Sequence, residues 1–371
     1  MLEAKTYLGL GNLPDEYSEI FEEASQESFF LSLPWFRNLE TTVLPSGLGA
    51  EIITVNSSEA AKSPAGALLL NRNPKNRLFS PVKLEGLANY YTSYFGVILR
   101  RDPNGMSDVV RCLVRALCCR KPSWDVLDIR PVDLSKPGIR NFLLALNEVG
   151  ILTQEYFCFG NWYLKVAGRC FSEYFRELPS RVRVNVPRHK RRLQKAARVR
   201  IEIYRGGEQL DAAIRDYEAI YNSSWRDSEA YPSFIRGLIL TTAQHDWLRL
   251  GILYVDDEPA AAQIWIIHAG VASIYKLCYA EKFEKWSVGS ILTAHLLEIA
   301  LDGEKVHEVD YLTGDDTYKA EWMSDRRERW GIMAFNPKTV WGRAGAVRHI
   351  GGRRLKSDWN LLVKYIGGVV R

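Results

Sequence analysis

The sequence predicts a mixed α/β protein built from two lobes. The chain has 371 residues, more than the roughly 250–300 residues that one hydrophobic core usually serves. Its residues are 47% hydrophobic and 25% charged, a composition typical of folded globular proteins and unlike that of long disordered segments. Segments with helical apolar spacing alternate along the chain with short apolar runs that are typical of strands. We place the lobes at residues 1–168 and 169–371.

Both kinds of segment occur in the first lobe. Apolar residues at helical spacing predict three helices, at residues 16–24, 107–120 and 136–150. Gly150 is suited to ending the last of these helices. Short apolar runs predict four strands, at residues 50–55, 66–70, 124–131 and 162–166. The third strand is expected to end at Pro131, because proline has no backbone N–H to donate to a sheet.

The second lobe begins with a basic segment and then follows a clear order. We expect the order β-α-β-β-β-α-β-α-β after this segment. The elements fall at residues 199–205, 207–225, three strands within 247–280, 289–308, 309–314, 316–323 and 328–336. The turns between the three consecutive strands are expected at Asp256-Asp257 and at Ala269-Gly270.

Positive charge is concentrated in two segments of the chain. Residues 181–200 hold nine Lys and Arg and no acid, and residues 338–371 hold eight and one acid. Because the net charge of the whole chain is only +5, the remainder is acidic. Clustered cations indicate an anionic partner such as phosphates or a membrane surface, or simply a solvated helix face. No zinc-finger spacing or RNA-binding aromatic motif accompanies the charge, which disfavours nucleic acid.

Several classes of protein are excluded by motif. No apolar run reaches the roughly 18 residues of a membrane span, and the first residues lack the pattern of a secretory signal. The six cysteines form no C-x-x-C pair and the six histidines no H-E-x-x-H, so we expect free thiols and no metal. No G-x-S-x-G marks a serine hydrolase. We expect a cytoplasmic protein.

One loop carries a candidate anion site. In "EKFEKWSVGSILTAHLL", the small residues Ser287, Gly289 and Ser290 stand at the start of a predicted helix. The N-terminus of a helix presents unpaired N–H groups and a positive dipole end, which suit phosphate oxygens. Serine and glycine are also ordinary residues at helix starts, so this loop alone is a weak signal.

In its context the loop resembles that of the GNAT acyltransferase superfamily. The resemblance covers residues 180–336 and rests on "RHKRRLQK", "YNSSW", "EPAAAQIWI", "YKLCYAEKFEKWSVGS" and "DYLTGDDTYKAEW". More narrowly, the chain resembles the CelD-like group related to the Fem aminoacyltransferases, which have two GNAT-like lobes. "SLPWFRNLE", "NYYTSYF" and "YLTGDDTYKAEWMSDRRERWGI" are similar to segments of bacterial ceramide synthases within that group. Residues 1–165 match only in α/β pattern and size.

This resemblance implies an acyl-CoA substrate, with an acyl carrier protein as the alternative donor. It implies that the C-terminal lobe binds the pyrophosphate with the loop Trp286, Ser287, Val288, Gly289 and Ser290. Only Gly289 keeps a glycine of the usual Q/R-x-x-G-x-G/A pattern, which puts the individual contacts in doubt. A backbone N–H within Leu277, Cys278 and Tyr279 is the implied donor to the oxyanion.

The implied catalytic residues lie in "TGDDTYK". Tyr318 stands where the superfamily often carries the acid for the leaving thiolate, and the alternative is a packed aromatic. Lys319 is a candidate for holding a phosphate or the oxyanion, and the alternative is a solvated lysine. Asp315 and Asp316 are candidates for accepting the proton of the amine or orienting Lys319, although one of them is suited to capping the short helix.

Four further residues are candidate walls of the acceptor pocket, or simply core and rim side chains: Trp225, Glu229, Tyr90 and Tyr91. A thioester is already activated, so an amine with an oxyanion donor and an acid suffices for direct transfer.

The resemblance therefore implies N-acylation, with a long-chain sphingoid amine as the preferred acceptor. Acyl or aminoacyl transfer to an amino sugar or a cell-envelope precursor is the second reading, and an RNA-binding module is the third. The basic tail, with Trp341, Trp359 and Tyr365, is a candidate for contact with the inner face of the cytoplasmic membrane.

Overall fold

The computed structural model describes residues 2–45, 49–57, 63–72, 80–101, 105–121 and 123–351. Thirteen strands are present in this part of the chain: β1 (Leu2–Leu8), β2 (Glu51–Ser57), β3 (Ser63–Arg72), β4 (Lys83–Gly86), β5 (Ile98–Leu99), β6 (Val126–Val132), β7 (Leu152–Lys165), β8 (Val199–Tyr204), β9 (Leu248–Val255), β10 (Glu258–His268), β11 (Val271–Tyr279), β12 (Glu308–Asp310) and β13 (Asp325–Phe335). The α-helices are α1 (Ser18–Ser25), α2 (Leu33–Val43), α3 (Met106–Cys119), α4 (Pro137–Glu148), α5 (Phe171–Glu177), α6 (Ser180–Ala196), α7 (Leu210–Asn222), α8 (Pro232–Gln244), α9 (Val288–Glu298), α10 (Thr317–Ala320) and α11 (Val340–Ala346).

These strands form one mixed sheet in the order β1-β2-β3-β4-β6-β13-β7-β12-β11-β10-β9-β8, with β5 beside β3. Most neighbours are antiparallel, whereas β4 with β6 and β11 with β12 are parallel. The predicted mixed α/β class is therefore confirmed.

The last strand joins the two halves of the sheet. β13 lies between β6 and β7, and pairs with β7 from Asp325 opposite Tyr163 to Phe335 opposite Leu152. A strand from the end of the described chain thus completes the sheet of the first half. The lobe boundary at residue 168 lies in the turn after β7 and stays a prediction.

Two buried clusters hold the helices against the sheet. The larger cluster combines both halves; in it Trp35 of α2 meets Phe234 of α8 with ring centroids 5.4 Å apart. The smaller cluster lies between the second half of the sheet and helices α6 and α9, and includes Val182 and Ile291. Each fully buried large apolar side chain contributes on the order of 1.5–3 kcal/mol to the free energy of unfolding.

Some predicted bounds are corrected by the structure. β6 continues past Pro131 to Val132. The proline lies where the register with β13 shifts, so the sheet requires no hydrogen bond from its nitrogen. β7 is 14 residues long, far longer than the predicted strand at 162–166. Helix α8 was not predicted, so the order of the second half has two helices between β8 and β9.

The predicted strand at 309–314 is also shorter than expected. β12 ends at Asp310, and Leu312 then adopts a left-handed φ of 57°. This early end leaves a gap in the sheet, which positions the site described below.

Candidate functional site

The site lies where two parallel strands separate. β11 and β12 pair only from Val271 with Glu308 to Ser273 with Asp310. Beyond that point β11 continues to Tyr279, whereas the chain after β12 turns away. The gap opens into a cavity of about 200 Å³, which we call the transfer cavity. Its lining consists of Tyr90, Tyr91, Ser93, Arg226, Ile274, Tyr275, Lys276, Leu277, Tyr311, Leu312, Thr313, Asp316, Tyr318 and Lys319.

A tight turn brings α10 to the edge of this cavity. Gly314 has a φ of 107°, which L side chains rarely adopt. A Cβ at this position would stand only 3.1 Å from the Nζ of Lys319. The glycine therefore allows Lys319 to fold back over the turn.

Lys319 is buried rather than solvated. It is 5% exposed, its Nζ donates to the carbonyl of Thr313 at 2.5 Å, and it pairs with Asp316 at 3.2 Å. Burial lowers the pKa of Lys319, and the nearby Asp316 carboxylate opposes that effect. These contacts use the ammonium to hold the turn together.

Tyr318 presents its ring to the transfer cavity. The ring meets Tyr311 edge-on with centroids 5.8 Å apart, and the residue is 40% exposed. Within the described ranges no residue forms a hydrogen bond with its hydroxyl. Burial raises the pKa of Tyr318 to about 12, so the phenol stays protonated and available as a proton donor at neutral pH.

The two adjacent aspartates point to different places. Asp315 accepts hydrogen bonds from Nε of Arg326 at 2.9 Å and from Nη2 at 2.6 Å, and this pairing lowers the pKa of Asp315. Asp316 lines the transfer cavity and occupies the N-cap position of α10, but its carboxylate makes no capping hydrogen bond. Only Asp316 therefore joins Tyr318 and Lys319 at the cavity.

Of the three residues expected to offer an oxyanion donor, Leu277 faces the cavity. Ala280 N–H donates to Ala260 O at 2.9 Å, and N–H groups alternate in direction along an antiparallel ladder. The N–H of Cys278 therefore points toward β10, and that of Leu277 toward the gap. The carbonyl of Leu277 accepts from Nε of Arg226 at 3.0 Å, in agreement with this orientation.

Cys278 and Tyr279 contribute differently. Burial raises the pKa of the Cys278 thiol to about 12, so the thiol is not a ready nucleophile. The ring of Tyr279 packs on Trp225 with centroids 4.4 Å apart. Trp225 does not line the transfer cavity; it packs at the end of β11, and its predicted role in the acceptor pocket stays a prediction.

The predicted residues Tyr90, Tyr91 and Glu229 come together on the opposite wall. Tyr90 and Tyr91 line the cavity, and Tyr91 donates its hydroxyl proton to Glu229 at 2.5 Å. Lys276 pairs with the other carboxylate oxygen of Glu229 at 2.5 Å. Burial alone would raise the pKa of Glu229, but the hydrogen bonds from Lys276 and Tyr91 bring it below its usual value. Glu229 does not line the cavity itself, but it holds the side chains of Tyr91 and Lys276, which do.

The turn before α9 and the first residues of this helix are the segment predicted to bind the pyrophosphate, and we call this segment the donor loop. A 3-10 turn, Glu281–Trp286, leads to Ser287, which has a left-handed φ of 53°. Among described residues, no backbone acceptor meets the N–H groups of residues 288–290. A Cβ on Gly289 would lie 3.4 Å from the ring of Tyr279, so this turn is close to the end of β11. Free N–H groups at a helix start suit a phosphate.

The basic segment forms α6, which packs beside this loop. Val182, Val186 and Leu193 are its buried residues, and its exposed face carries cations: Arg181, Arg183, Arg188, Lys190, Arg191, Arg192 and Lys195. Nδ1 of His189 lies 2.7 Å from Oγ of Ser287. Burial lowers the pKa of His189, and neighbouring arginines lower it further. The α6 helix therefore sets positive charge next to the α9 N-terminus.

Sequence reasoning missed Arg226, Lys276 and the pair Ser93 and Thr313. The two hydroxyls of that pair hydrogen-bond at 2.6 Å and link the two halves of the chain across the cavity. Arg226 is adjacent to Trp225 in the sequence, and Lys276 precedes Leu277. These sequence neighbours were named as candidate site residues. Contacts across the cavity join residues that are far apart in the sequence, so they leave no pattern in the nearby residues.

Two expectations concern metals and membranes. No group of three or more His, Cys, Asp or Glu side chains that suits a metal occurs in the part of the chain that the structure covers. In the same part, every helix is too short or too polar to cross a bilayer. Trp341 in α11 is 46% exposed, whereas Trp359 and Tyr365 lie outside the described residues.

Comparisons with known proteins bear on the family of one segment and on the overall fold. Residues 180–320 match the family model described as an acetyltransferase (GNAT) domain. No curated protein sequence matches the chain. The structure of FemX is similar at a TM-score of 0.57 and 10% identity, covering 89% of this chain and 96% of FemX. A conserved protein of unknown function from Bacteroides thetaiotaomicron VPI-5482 is similar at 0.56 and 9% identity, covering 91% of this chain and 100% of that protein. These likenesses are of fold alone, and they agree with the predicted mixed α/β class.

Proposed function

We propose that this chain, which carries a GNAT domain over residues 180–320, is an acyl-CoA-dependent N-acyltransferase that transfers directly to an amine. One observation carries the proposal. The gap between β11 and β12 brings a backbone N–H, a protonated phenol and a carboxylate to one cavity, beside the free N–H groups of α9.

The donor loop and α6 would hold the acyl-CoA. Backbone N–H groups of residues 288–290 suit the pyrophosphate oxygens, and the exposed cations of α6 suit the remaining phosphate. Gly289 has no side chain to block approach to these N–H groups. An acyl carrier protein would meet the same positive surface, and it stays the alternative donor.

Three groups would act on the reacting atoms. The N–H of Leu277 stabilises the oxygen anion that forms when the amine attacks the thioester carbonyl. Tyr318 gives its proton to the leaving sulfur. Asp316 receives the proton that the attacking amine loses, directly or through water. Lys319 positions the turn that carries the last two.

Direct transfer is favoured over an acyl-protein intermediate. Cys278, the cysteine nearest the cavity along β11, is buried, and its raised pKa keeps it a thiol. A thioester needs no further activation, so the amine itself is a sufficient nucleophile.

For the acceptor, we propose a polar amine such as an amino sugar or a cell-envelope precursor. Tyrosine hydroxyls, Arg226, Lys276 and Asp316 line the transfer cavity, whereas a long-chain amine is expected to require an extended apolar groove. The sphingoid base implied by the sequence resemblance stays a prediction, and the following experiment includes it.

Mass spectrometry of the transfer products tests the proposal. The purified full chain is given a mixture of acetyl-CoA to stearoyl-CoA with three amines in parallel: an amino sugar, a short peptide and a sphingoid base. We expect an amide on a polar amine and release of free CoA. An amide on the sphingoid base alone would make this lipid amine the acceptor in place of a polar amine. The absence of an amide with every amine would remove the proposed function. RNA affinity that falls steeply with salt and is not competed by CoA would favour the RNA-binding module.

A further inference from the structure

A second cavity adjoins the transfer cavity. It has a volume of about 190 Å³, and we call it the inner cavity. Ser93 and Leu312 line both cavities. Ser273 lines the inner cavity and Leu277 the transfer cavity. Ser273 and Leu277 are four positions apart on β11, which corresponds to at most about 13 Å along the strand.

The inner cavity is lined with charged side chains that already have partners. Arg327 donates to Glu308 at 2.8 Å and to Asp310 at 2.5 Å. Lys136 pairs with Glu27 at 2.9 Å. Glu27, Glu308 and Asp310 are therefore each paired with a cation. Asp133, the fourth carboxylate of the lining, is paired with Arg329.

One cation of the inner cavity is incompletely bonded. Arg329 is 6% exposed; its Nη1 donates to Asp133 at 2.9 Å, and its guanidinium lies 5.0 Å from the ring centroid of Tyr94. Its Nε is buried without a hydrogen-bond partner, and no described residue accepts from its Nη2. Leaving a buried donor without a partner destabilises the folded state.

Other arginines of the chain show what this edge of the guanidinium binds. Arg120 donates through Nε and Nη2 to the two oxygens of Glu51, at 2.5 and 2.8 Å. Arg111 binds Glu148 through the same two nitrogens, at 2.8 and 3.1 Å. These two N–H groups form a planar fork that matches a carboxylate. In Arg329 the fork is empty.

We propose that the fork of Arg329 binds a carboxylate carried by the amine acceptor. Because four carboxylates already line the inner cavity, a singly charged carboxylate suits it better than a phosphate dianion. The acceptor would then hold its amine near Leu277 and Tyr318 and its carboxylate in the inner cavity, where Ser273 lies about 13 Å from Leu277 along β11. The position of the amine rests on the proposed function, whereas the carboxylate site at Arg329 does not.

A matched pair of peptides tests the site. Four extended residues span about 13–14 Å, so the probes are a four-residue alanine–serine peptide and its C-terminal amide. Binding of each to the full-length protein is measured by calorimetry without an acyl donor. A charge-assisted bidentate bond predicts that the free acid binds about ten- to a hundred-fold more tightly than the amide.

Two variants locate the effect. Arg329→Lys keeps a cation beside Asp133 but loses the fork, and Arg329→Gln loses both; each should reduce the preference to less than about three-fold. Arg120→Lys removes a buried fork that Glu51 already fills, and should leave the preference unchanged. Circular dichroism checks that each variant is folded.

Two results would overturn the inference: equal binding of acid and amide by the unaltered protein, or a preference that survives both Arg329 substitutions. The first comparison decides the matter even if the variants fail to fold. Acyl transfer to the same two peptides is followed separately. A preference for the acid, without transfer to either peptide and without an amide on any amine of the experiment above, would retain the inner site and remove the proposed function, and transfer without a preference would do the reverse.

Discussion

The phenol of Tyr318 offers the sharpest perturbation of the site. In Tyr318→Phe the ring remains against Tyr311, and the only atom lost is a hydroxyl with no hydrogen bond to any described residue. We therefore expect the free energy of unfolding to change by less than about 0.5 kcal/mol. General acids typically contribute about 10²–10⁴-fold, which corresponds to about 3–5 kcal/mol of transition-state stabilisation.

The assay follows release of the CoA thiol at saturating amine, with kcat and KM measured separately. Because Tyr318 donates the proton to the leaving sulfur, kcat should fall while KM for acyl-CoA stays nearly constant. An aryl thioester, whose thiol is a stronger acid, needs less protonation and should recover much of the lost rate. Tyr231→Phe is the matched control, since Tyr231 is 37% exposed and does not line the transfer cavity.

The pKa of Tyr318 adds a second check. With a pKa of about 12, the phenol is ionised to only about one part in a thousand at pH 9. The acid form is active, so this group should cause no loss of rate between about pH 7 and pH 10. A kcat within two-fold of the unaltered protein in Tyr318→Phe would refute the assignment, as would an equal loss with both thioesters.

Three further predictions concern neighbouring residues. Asp316→Asn should lower turnover at least about ten-fold, whereas Asp315→Asn should lower it less than about two-fold, because only the first lines the cavity; steady-state rates that fall equally would contradict this. Lys319→Met removes the ammonium that holds the turn and should lower the free energy of unfolding by about 1–3 kcal/mol in urea titrations; unchanged stability with full activity would return Lys319 to a minor role. Gly289→Glu puts a negative charge where phosphate is expected and should raise KM for acyl-CoA at least about ten-fold with little change in kcat, while Gly289→Ala should not; equal KM values in both variants would count against the donor loop.

Local chemistry explains which parts of the fold were predictable. The turns at Asp256-Asp257 and at Ala269-Gly270 were predicted from their residue types, and all four residues adopt left-handed φ values. Helices α3 and α4 were predicted because their apolar residues repeat at helical spacing. Such signals lie within a few residues of the feature that they describe.

Long-range pairing gave no comparable signal. The insertion of β13 between β6 and β7 joins residues more than 150 positions apart, such as Asp325 and Tyr163, and no local pattern marks it. The early end of β12 likewise depends on its neighbours. The early end of β12 opens the transfer cavity, so prediction of the position of this cavity relied on the family resemblance.

The candidate site shows the same division. Tyr318 and Lys319 were singled out together and lie together, because one turn carries them. Asp315 and Asp316 are adjacent and chemically alike, yet Arg326 draws one of them away from the cavity. The empty fork of Arg329 has no sequence signature at all, because it is defined by the absence of a partner in space.

The central claim is direct acyl transfer to an amine at the gap between β11 and β12. Intact-protein and small-molecule mass spectrometry after mixing the chain with acyl-CoA, with and without the best amine, tests it most directly. We predict an unmodified protein in both mixtures, and free CoA with an amide only when the amine is present. An acyl group attached to the protein before the amine is added, and passed on afterwards, would contradict direct transfer; so would CoA release without any amide.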